Sequence, residues 1–477
     1  MTLNPLDSRY KERIAPITDC LGSEAYTKQL VFVEYEWFKY FARQYVYCQK
    51  PGGMSVEERW FQQRAESAGQ CLGSIPALTD DIDIERIRVL ESQLGHDIKA
   101  VEYYVKDSIK EAIRSENPSA NLKESRKQYD IAELVHIGCT SEDITNVAYA
   151  IGLGKAKEQI ANRIDCILEV MGVQISVYGS TPMLAHTHGQ PASPTTVGKE
   201  LAVYHQRIKC ELKHLKELPI KVKFSGATGN HNALTVILRL NPHKITNSFI
   251  ESLATLTGVK LVPSDITTQV ESHDSIAAIL HSITRLNNIM TDLACDMWQY
   301  IGKSYFKLKV DRIGSSTMPH KINPIEFENA EGNFGLSNSL LSFMANKLTV
   351  SRMQRDLSGS TVKRNLGVAL GYAYLGYESI HSGMSKIEAY EEKLNADLFD
   401  HEEVIREAVQ TFLRVNPDVM QIVKDEFNTD LGPYEIMAVK SQLPEQVIKL
   451  LRDSGIFSID VDEYVGMADR TSIQSIN

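Results

Sequence analysis

The chain has no run of about 18 uninterrupted apolar residues, the length a bilayer-spanning helix requires, so no transmembrane segment is expected. Met1–Asp7 shows no basic stretch leading into an apolar one, so no secretory signal peptide is expected either. Cysteine pairs are also missing. Seven cysteines stand at positions 20, 48, 71, 139, 166, 210 and 295, an odd number without any C-x-x-C, which argues against a disulfide framework or a zinc site. A reducing compartment, the cytoplasm, is the expectation. Excess positive charge is absent too. The net charge of −10 disfavours non-specific attraction to nucleic acid or anionic membrane, and neither is an expected partner. An anionic small molecule stays open, provided that a local basic cluster meets it.

Common catalytic signatures are incomplete. Gly302-Lys303-Ser304 ends like a phosphate loop, but Met297 stands where its first glycine is required. Gly152-Leu153-Gly154 lacks the third glycine of a dinucleotide fingerprint, Lys157 standing there. There is no G-x-S-x-G elbow and no H-E-x-x-H. His186 and His188 form a pair, but no further ligand has the spacing of a metal site, so no metal is expected.

What is present is helical periodicity. Ile276, Ile279, Ile283, Leu286, Ile289, Leu293, Met297 and Tyr300 recur in steps of three and four, with no proline between Pro263 and Pro319, and predict a very long helix from Asp274 to about Lys307. Ile160, Ile164, Ile167, Met171, Ile175 and Tyr178 make a second stripe, and Ile84, Ile87, Leu94, Ile98 and Val101 a third. Strand candidates are short: Val222-Lys223-Phe224 and Lys260-Leu261-Val262. Helices with apolar stripes bury them against one another, so the expected class is all-α, a long-helix bundle. The 477 residues, 43% of them hydrophobic, exceed what one core organises. The polar stretch Ser115–Asp130 and a break near Met384–Glu391 suggest three domains: 1–115, a central bundle over 130–384, and 385–477.

Several segments carry chemistry. Gly314-Ser315-Ser316-Thr317-Met318-Pro319-His320-Lys321-Ile322-Asn323-Pro324 packs hydroxyls, an ammonium and a carboxamide into a glycine- and proline-bounded loop, more than a helix cap needs. Thr140-Ser141-Glu142-Asp143 reads as a capping box and equally as a carboxylate-binding helix start. Ser351–Asn365 concentrates Arg352, Arg355, Lys363 and Arg364 among hydroxyls on an acidic protein. That is either a solvated helix face or, more in keeping with the hydroxyls, a phosphate clamp.

The pattern G-S-S-x-M-P-x-K-x-N resembles the signature of the aspartase/fumarase superfamily. Within it, Thr187-His188-Gly189-Gln190-Pro191-Ala192, Gly95–Tyr103, Pro5–Tyr10 (P-x-D-x-R-Y) and Ser351–Asn365 (S-R-x-Q-R-D-L-x-x-S-T-V-x-R-N) resemble the adenylosuccinate lyase branch, of the bacterial type. The likeness is strong over residues 4 to 385 and weak beyond; Met467 departs from a C-terminal Y-x-G-R-A, and His186 from a usual arginine. The resemblance implies β-elimination of fumarate from succinylated purine nucleotides, among them adenylosuccinate, which yields AMP. It implies Ser315 as base, with Ser316 the alternative, and His188 as acid. Lys321 and Asn323 would hold carboxylates, and Glu328, two turns past Lys321 if a helix starts at Asn323, would orient a histidine. His96, Lys99, Thr140, Ser141 and Gln269 would contact the succinyl group or nucleotide, and Arg9, Tyr10, Arg355, Ser360 and Arg364 the phosphate and ribose. It further implies a homotetramer with sites shared between subunits, and no metal or organic cofactor. Alternatives are argininosuccinate lyase, fumarase or a carboxymuconate cycloisomerase, against which the 352–364 cations speak, and a non-enzymatic crystallin-like protein, against which Ser315, Lys321 and His188 speak.

Overall fold

The computed structural model describes residues 3–47, 82–116, 130–237, 241–309, 318 and 320–470; for 44–47, 115–116 and 130 it gives the backbone alone. In chain order the helices are α1 (Ala15–Leu21), α2 (Ser23–Tyr47), α3 (Ile84–Leu94), α4 (Asp97–Glu116), α5 (Ser141–Val177), α6 (Val197–Glu217), α7 (Asn232–Ile237), α8 (Pro242–Thr257), α9 (Asp274–Gly302), α10 (Ile325–Leu348), α11 (Ser358–Lys363), α12 (Leu366–Ser385), α13 (Glu391–Asp400), α14 (Arg406–Val415), α15 (Pro417–Phe427), α16 (Pro433–Ala438) and α17 (Leu443–Asp453). Strands β1 (Pro182–Thr187) and β2 (Gln190–Thr196), β3 (Ile220–Val222) and β4 (Leu261–Pro263), and β5 (Phe306–Leu308) and β6 (Ile387–Ala389) pair as separate two-stranded sheets. The expected all-α class holds. No helix among the described residues is long and apolar enough to cross a membrane.

The apolar stripes set the helices. On α9, Ile276, Ile279, Ile283, Leu286, Leu293 and Met297 are all buried, and the helix stops at Gly302, about five residues short of the sequence expectation. The second stripe lies on α5, whose 37 residues span roughly 55 Å at the helical rise. The third stripe is split in two. Gly95 takes φ +65°, its amide closes α3 on the Glu91 carbonyl at 2.8 Å, and α4 restarts at Asp97. α12 ends at Ser385 and α13 begins at Glu391, where the break was expected. Most of the expected 115–130 loop lies outside the described residues.

Two compact units emerge, one of residues 1–163, 213–287 and 333–375, the other of residues 164–212, 288–332 and 376–477. In the first, Trp37 of α2 is fully buried between Phe224, 4.7 Å away, and Phe249 of α8, 5.0 Å away. Its indole N–H donates to the Ile137 carbonyl at 3.0 Å, so an aromatic core also satisfies its polar atom. In the second, α14 to α17 close over Ile405, Val409, Leu413, Val423, Ile436, Val447 and Leu451.

Two local expectations are corrected, and one element was not expected. β3 covers Ile220–Val222, not 222–224: Lys223 donates its amide to Asn146 Oδ1 and accepts from Asn146 Nδ2, both at 2.9 Å, so a side chain of α5 replaces the neighbouring strand there. The β1–β2 hairpin was not foreseen, because its prolines break the apolar alternation that marks strands. α10 starts at Ile325, not Asn323, since the residue before Pro324 is biased away from helical backbone. Lys321 and Asn323 therefore stand on the lead-in, with Glu328 in the first turn.

Candidate active site

In the first unit the site is built around the start of α5. Thr140 is the cap, and its amide donates to Asp143 Oδ2 at 2.8 Å, which is one half of the expected capping box. The carboxylate does more than cap. Fully buried, Asp143 also pairs with the equally buried Lys223 ammonium at 2.6 Å and accepts the amides of Ser225 at 3.0 Å and Gly226 at 3.1 Å. Its neighbour Glu142 turns the other way. Glu142 meets Lys363 of α11 at 2.5 Å and Arg355 at 3.7 Å, and it accepts from Thr145 Oγ1 at 3.2 Å. Burial pushes the Glu142 carboxyl up, but the Lys363 ammonium more than offsets this, so the group is held below the ordinary carboxylate range.

The basic segment 351–365 is thus not a solvated face throughout. Lys363 is buried, whereas the Arg364 side chain is 69% exposed, 3.7 Å from Asp97. Arg355 is held from two sides, since its Nη1 donates to Gln269 Oε1 at 2.9 Å while Gln269 Nε2 donates to the Ala227 carbonyl at 2.8 Å. Ser360 lines a small cavity with Glu142, Lys363, His273, Gly359 and Asp356. Thr140 and Ser141 are half-buried at the helix start. His96, just before α4, and Lys99, on its first turn, are exposed; Lys99 donates to Glu102 at 2.8 Å, and Lys106 approaches the same carboxylate at 3.0 Å. Burial pushes the Glu102 carboxyl up, and those two lysines more than offset it. Arg9 lies 5.6 Å over the Tyr10 ring, and Tyr10 packs on the Leu6, Ile14 and Leu375 cluster.

The remaining residues belong to the second unit. His188 and Gly189 form the two-residue turn between Thr187 and Gln190, with φ of +54° and +73°. Positive φ at both positions matches the twist of paired strands, and glycine accepts it freely. A histidine there is an uncommon choice, of the kind that concentrates at functional sites. The hairpin is anchored by Leu184 against Leu398 and Val461, and Glu407 accepts from Ser193 of β2 and from Tyr464 at 3.2 Å. The C-terminal Y-x-G motif thus braces the strand that follows His188. Lys321 is exposed before α10, and Glu328 accepts from Trp298 Nε1 at 3.1 Å. Ser315 and Ser316 lie outside the described residues.

The sequence reading missed Glu142, Asp143, Lys223, His273 and Lys363 as site residues. Three of them stood inside quoted motifs; what was missing was each one's partner, which lies far along the chain. His273 is the most perturbed. Burial and the Lys363 ammonium push its imidazole down to about 3, so it is neutral beside the ion pair. An unfolded histidine titrates near 6.5, so the unfolded chain takes up a proton that the folded one refuses between these values. His273 therefore leaves stability intact above pH 6.5 and withdraws it as the pH falls towards 3, by up to about 1.4 kcal/mol per pH unit. Replacing His273 by Asn, which tolerates its φ of +62°, is expected to flatten the fall of the urea midpoint between about pH 6.5 and 4.5. An unaltered slope would remove His273 from this role.

Comparison with known proteins agrees with this architecture. The sequence model of the lyase family matches residues 52–335, and one described as adenylosuccinate lyase C-terminal matches residues 351–430. Among solved structures, a fumarate lyase from Mesorhizobium sp. BNC1 aligns with a TM-score of 0.69 at 16% identity, covering 96% of this chain and 97% of that one. A 3-carboxy-cis,cis-muconate lactonizing enzyme from Pseudomonas putida aligns with a TM-score of 0.64, also at 16% identity, over 99% and 98%. At such identities the likeness is one of fold. With the matched family model, it makes this chain a member of the lyase family that shares this helical fold.

The relatives narrow it. The adenylosuccinate lyase of Legionella pneumophila (strain Corby) is 39% identical over 419 residues, 86% of this chain and 85% of that protein. That of Escherichia coli (strain K12) is 37% identical over 420 residues, with the same coverage. The chain belongs to the adenylosuccinate lyase family.

Proposed function

We propose that the protein eliminates fumarate from adenylosuccinate, giving AMP, and from the succinylaminoimidazole-carboxamide ribotide of purine biosynthesis, in the cytoplasm and without a cofactor. The observation that carries this reading is the cation segment 351–365, braced on the start of α5 and lying within the matched adenylosuccinate lyase C-terminal region. It suits a phosphorylated substrate, which the non-phosphorylated alternatives lack.

In the proposed step Ser315 takes the proton from the carbon beside one carboxylate. The electron pair left behind forms the double bond of fumarate as the C–N bond breaks, and His188 gives its proton to the departing nitrogen. Negative charge builds on the neighbouring carboxylate before that bond breaks. Lys321 and Asn323 would stabilise it, the kind of fixed electrostatics that usually supplies the largest catalytic contribution. Lys99, His96, Thr140, Ser141 and Gln269 would hold the succinyl group and base, and Arg9, Tyr10, Arg355, Ser360 and Arg364 the ribose and phosphate. The three-domain division and the homotetramer with shared sites belong to the same proposal. Leu336 and Phe343, exposed seven residues apart on one face of α10, support association.

The test is direct. Purified protein should lower the absorbance of adenylosuccinate and yield AMP and fumarate in equal amounts. Cleavage of argininosuccinate with adenylosuccinate left intact would overturn the proposal.

Within it, Arg355→Ala and Arg364→Ala should both weaken substrate binding, each losing a charge-assisted phosphate contact of about 1.5–3 kcal/mol. Arg355 is already held by Gln269 and Glu142, while Arg364, mostly exposed beside Asp97, must be ordered on binding. Arg355→Ala should therefore raise KM more. Steady-state kinetics would show it, and the reverse order would contradict the clamp geometry.

A further inference from the structure

The interactions around α5 close into a ring. From Glu142 they run to Arg355, from Arg355 to Gln269, from Gln269 to the Ala227 carbonyl, and from the adjoining Ser225 and Gly226 amides to Asp143, the residue after Glu142. Lys363 ties α11 to the same point. Its ammonium lies 2.5 Å from Glu142 and 5.6 Å from the ring centre of Tyr149, one helix side anchoring both contacts. Three segments that are distant in sequence are thus set by two adjacent carboxylates. Glu142 is almost fully buried and offers one negative charge to two cations. Asp356 also lines the cavity there, but its oxygens accept from the Ser358 and Arg352 amides, so it does not compete for Lys363.

A buried cation on a long side chain needs a partner to hold a single position. Arg355 in its turn needs an acceptor on one side so that its remaining N–H groups face a ligand in fixed geometry. We infer that Glu142 is a positioning residue for nucleotide recognition: by clamping Lys363 it docks α11, and with it Ser360, while it orients Arg355 for the 5′-phosphate. The inference rests on the proposed function and deepens it. It makes Glu142 a determinant of the preference for a phosphorylated over an unphosphorylated substrate, although Glu142, being anionic, does not itself contact phosphate.

The experiment compares parent and Glu142→Gln protein on adenylosuccinate and on its 5′-dephosphorylated counterpart, succinyladenosine, with calorimetric titration of AMP and adenosine. Glu142→Gln should raise KM for adenylosuccinate and Kd for AMP by about tenfold while kcat changes by less than about threefold. For succinyladenosine kcat/KM, and for adenosine Kd, should stay within about twofold of the parent. Equal losses on both substrates, or no change on either, would overturn the inference.

Glu142→Gln strands the Lys363 ammonium, so circular dichroism comes first. If the single variant does not fold, the Glu142→Gln/Lys363→Met double variant, which removes that ammonium, takes its place with the same expectation. A double variant that also fails to fold overturns the inference, because Glu142 would then serve the fold as a whole. Parent protein inert towards adenylosuccinate would instead sink the proposed function, and that result is read before any variant.

Discussion

Asp143→Ala is expected to lower the unfolding free energy by about 3–5 kcal/mol, the usual cost of removing one partner from a fully buried ion pair. Asp143 and Lys223 are both inaccessible to solvent, 2.6 Å apart. Without the carboxylate, Lys223 keeps the Gly226 carbonyl at 2.8 Å, and the amides of Thr140, Ser225 and Gly226 lose an acceptor. An uncompensated charge at that depth costs more than the pair contributes, so the partner's removal should restore much of the loss. The double variant Asp143→Ala/Lys223→Met is therefore expected to be more stable than Asp143→Ala alone, by a margin a double-mutant cycle can read. Urea unfolding at pH 7 measures all three. A single variant within about 1 kcal/mol of the parent would show that solvent or a rearranged loop reaches Lys223.

Ser315→Ala should reduce kcat by about 10³-fold or more while leaving the Kd for AMP close to that of the parent, since a base acts in the chemical step rather than in binding. Ser316→Ala should be much milder. A dead Ser316→Ala beside an active Ser315→Ala would exchange the two roles. His188→Ala should be similarly impaired, because the amine leaves poorly without a proton donor. If sites are shared between subunits, the two inactive proteins complement each other. Dissociated, mixed equally and reassembled, they should recover activity in roughly one quarter of the sites, half of the chains supplying each intact group at random. Full reassembly with no more activity than either variant alone would place both groups on one chain.

The fold class was legible because it rests on short-range regularities. The stripe on α9 and the Thr140–Asp143 cap each involve residues within a few turns of one another, where sequence spacing and spatial neighbourhood coincide. The first strand of the β3–β4 pair was misplaced by two residues because a side chain of α5, distant in sequence, took over the ladder. The motif around His188 was visible, but its hairpin was not. A His-Gly turn between proline-bearing strands lacks the apolar alternation that marks a hairpin, though the x-Gly step itself was a usable signal.

By itself, then, the sequence determined the helical class, the long apolar stripes and the residue types of the candidate site, since periodicity and motif chemistry are local properties of the chain. The tertiary structure alone decided which charges are partners. Glu142 and Lys363 are 221 positions apart, and nothing in either segment names the other. The sequence placed Lys363 in a cationic segment read as a phosphate clamp; folding buried it, and burial made a carboxylate partner necessary, because an ammonium out of water persists only when its charge is met.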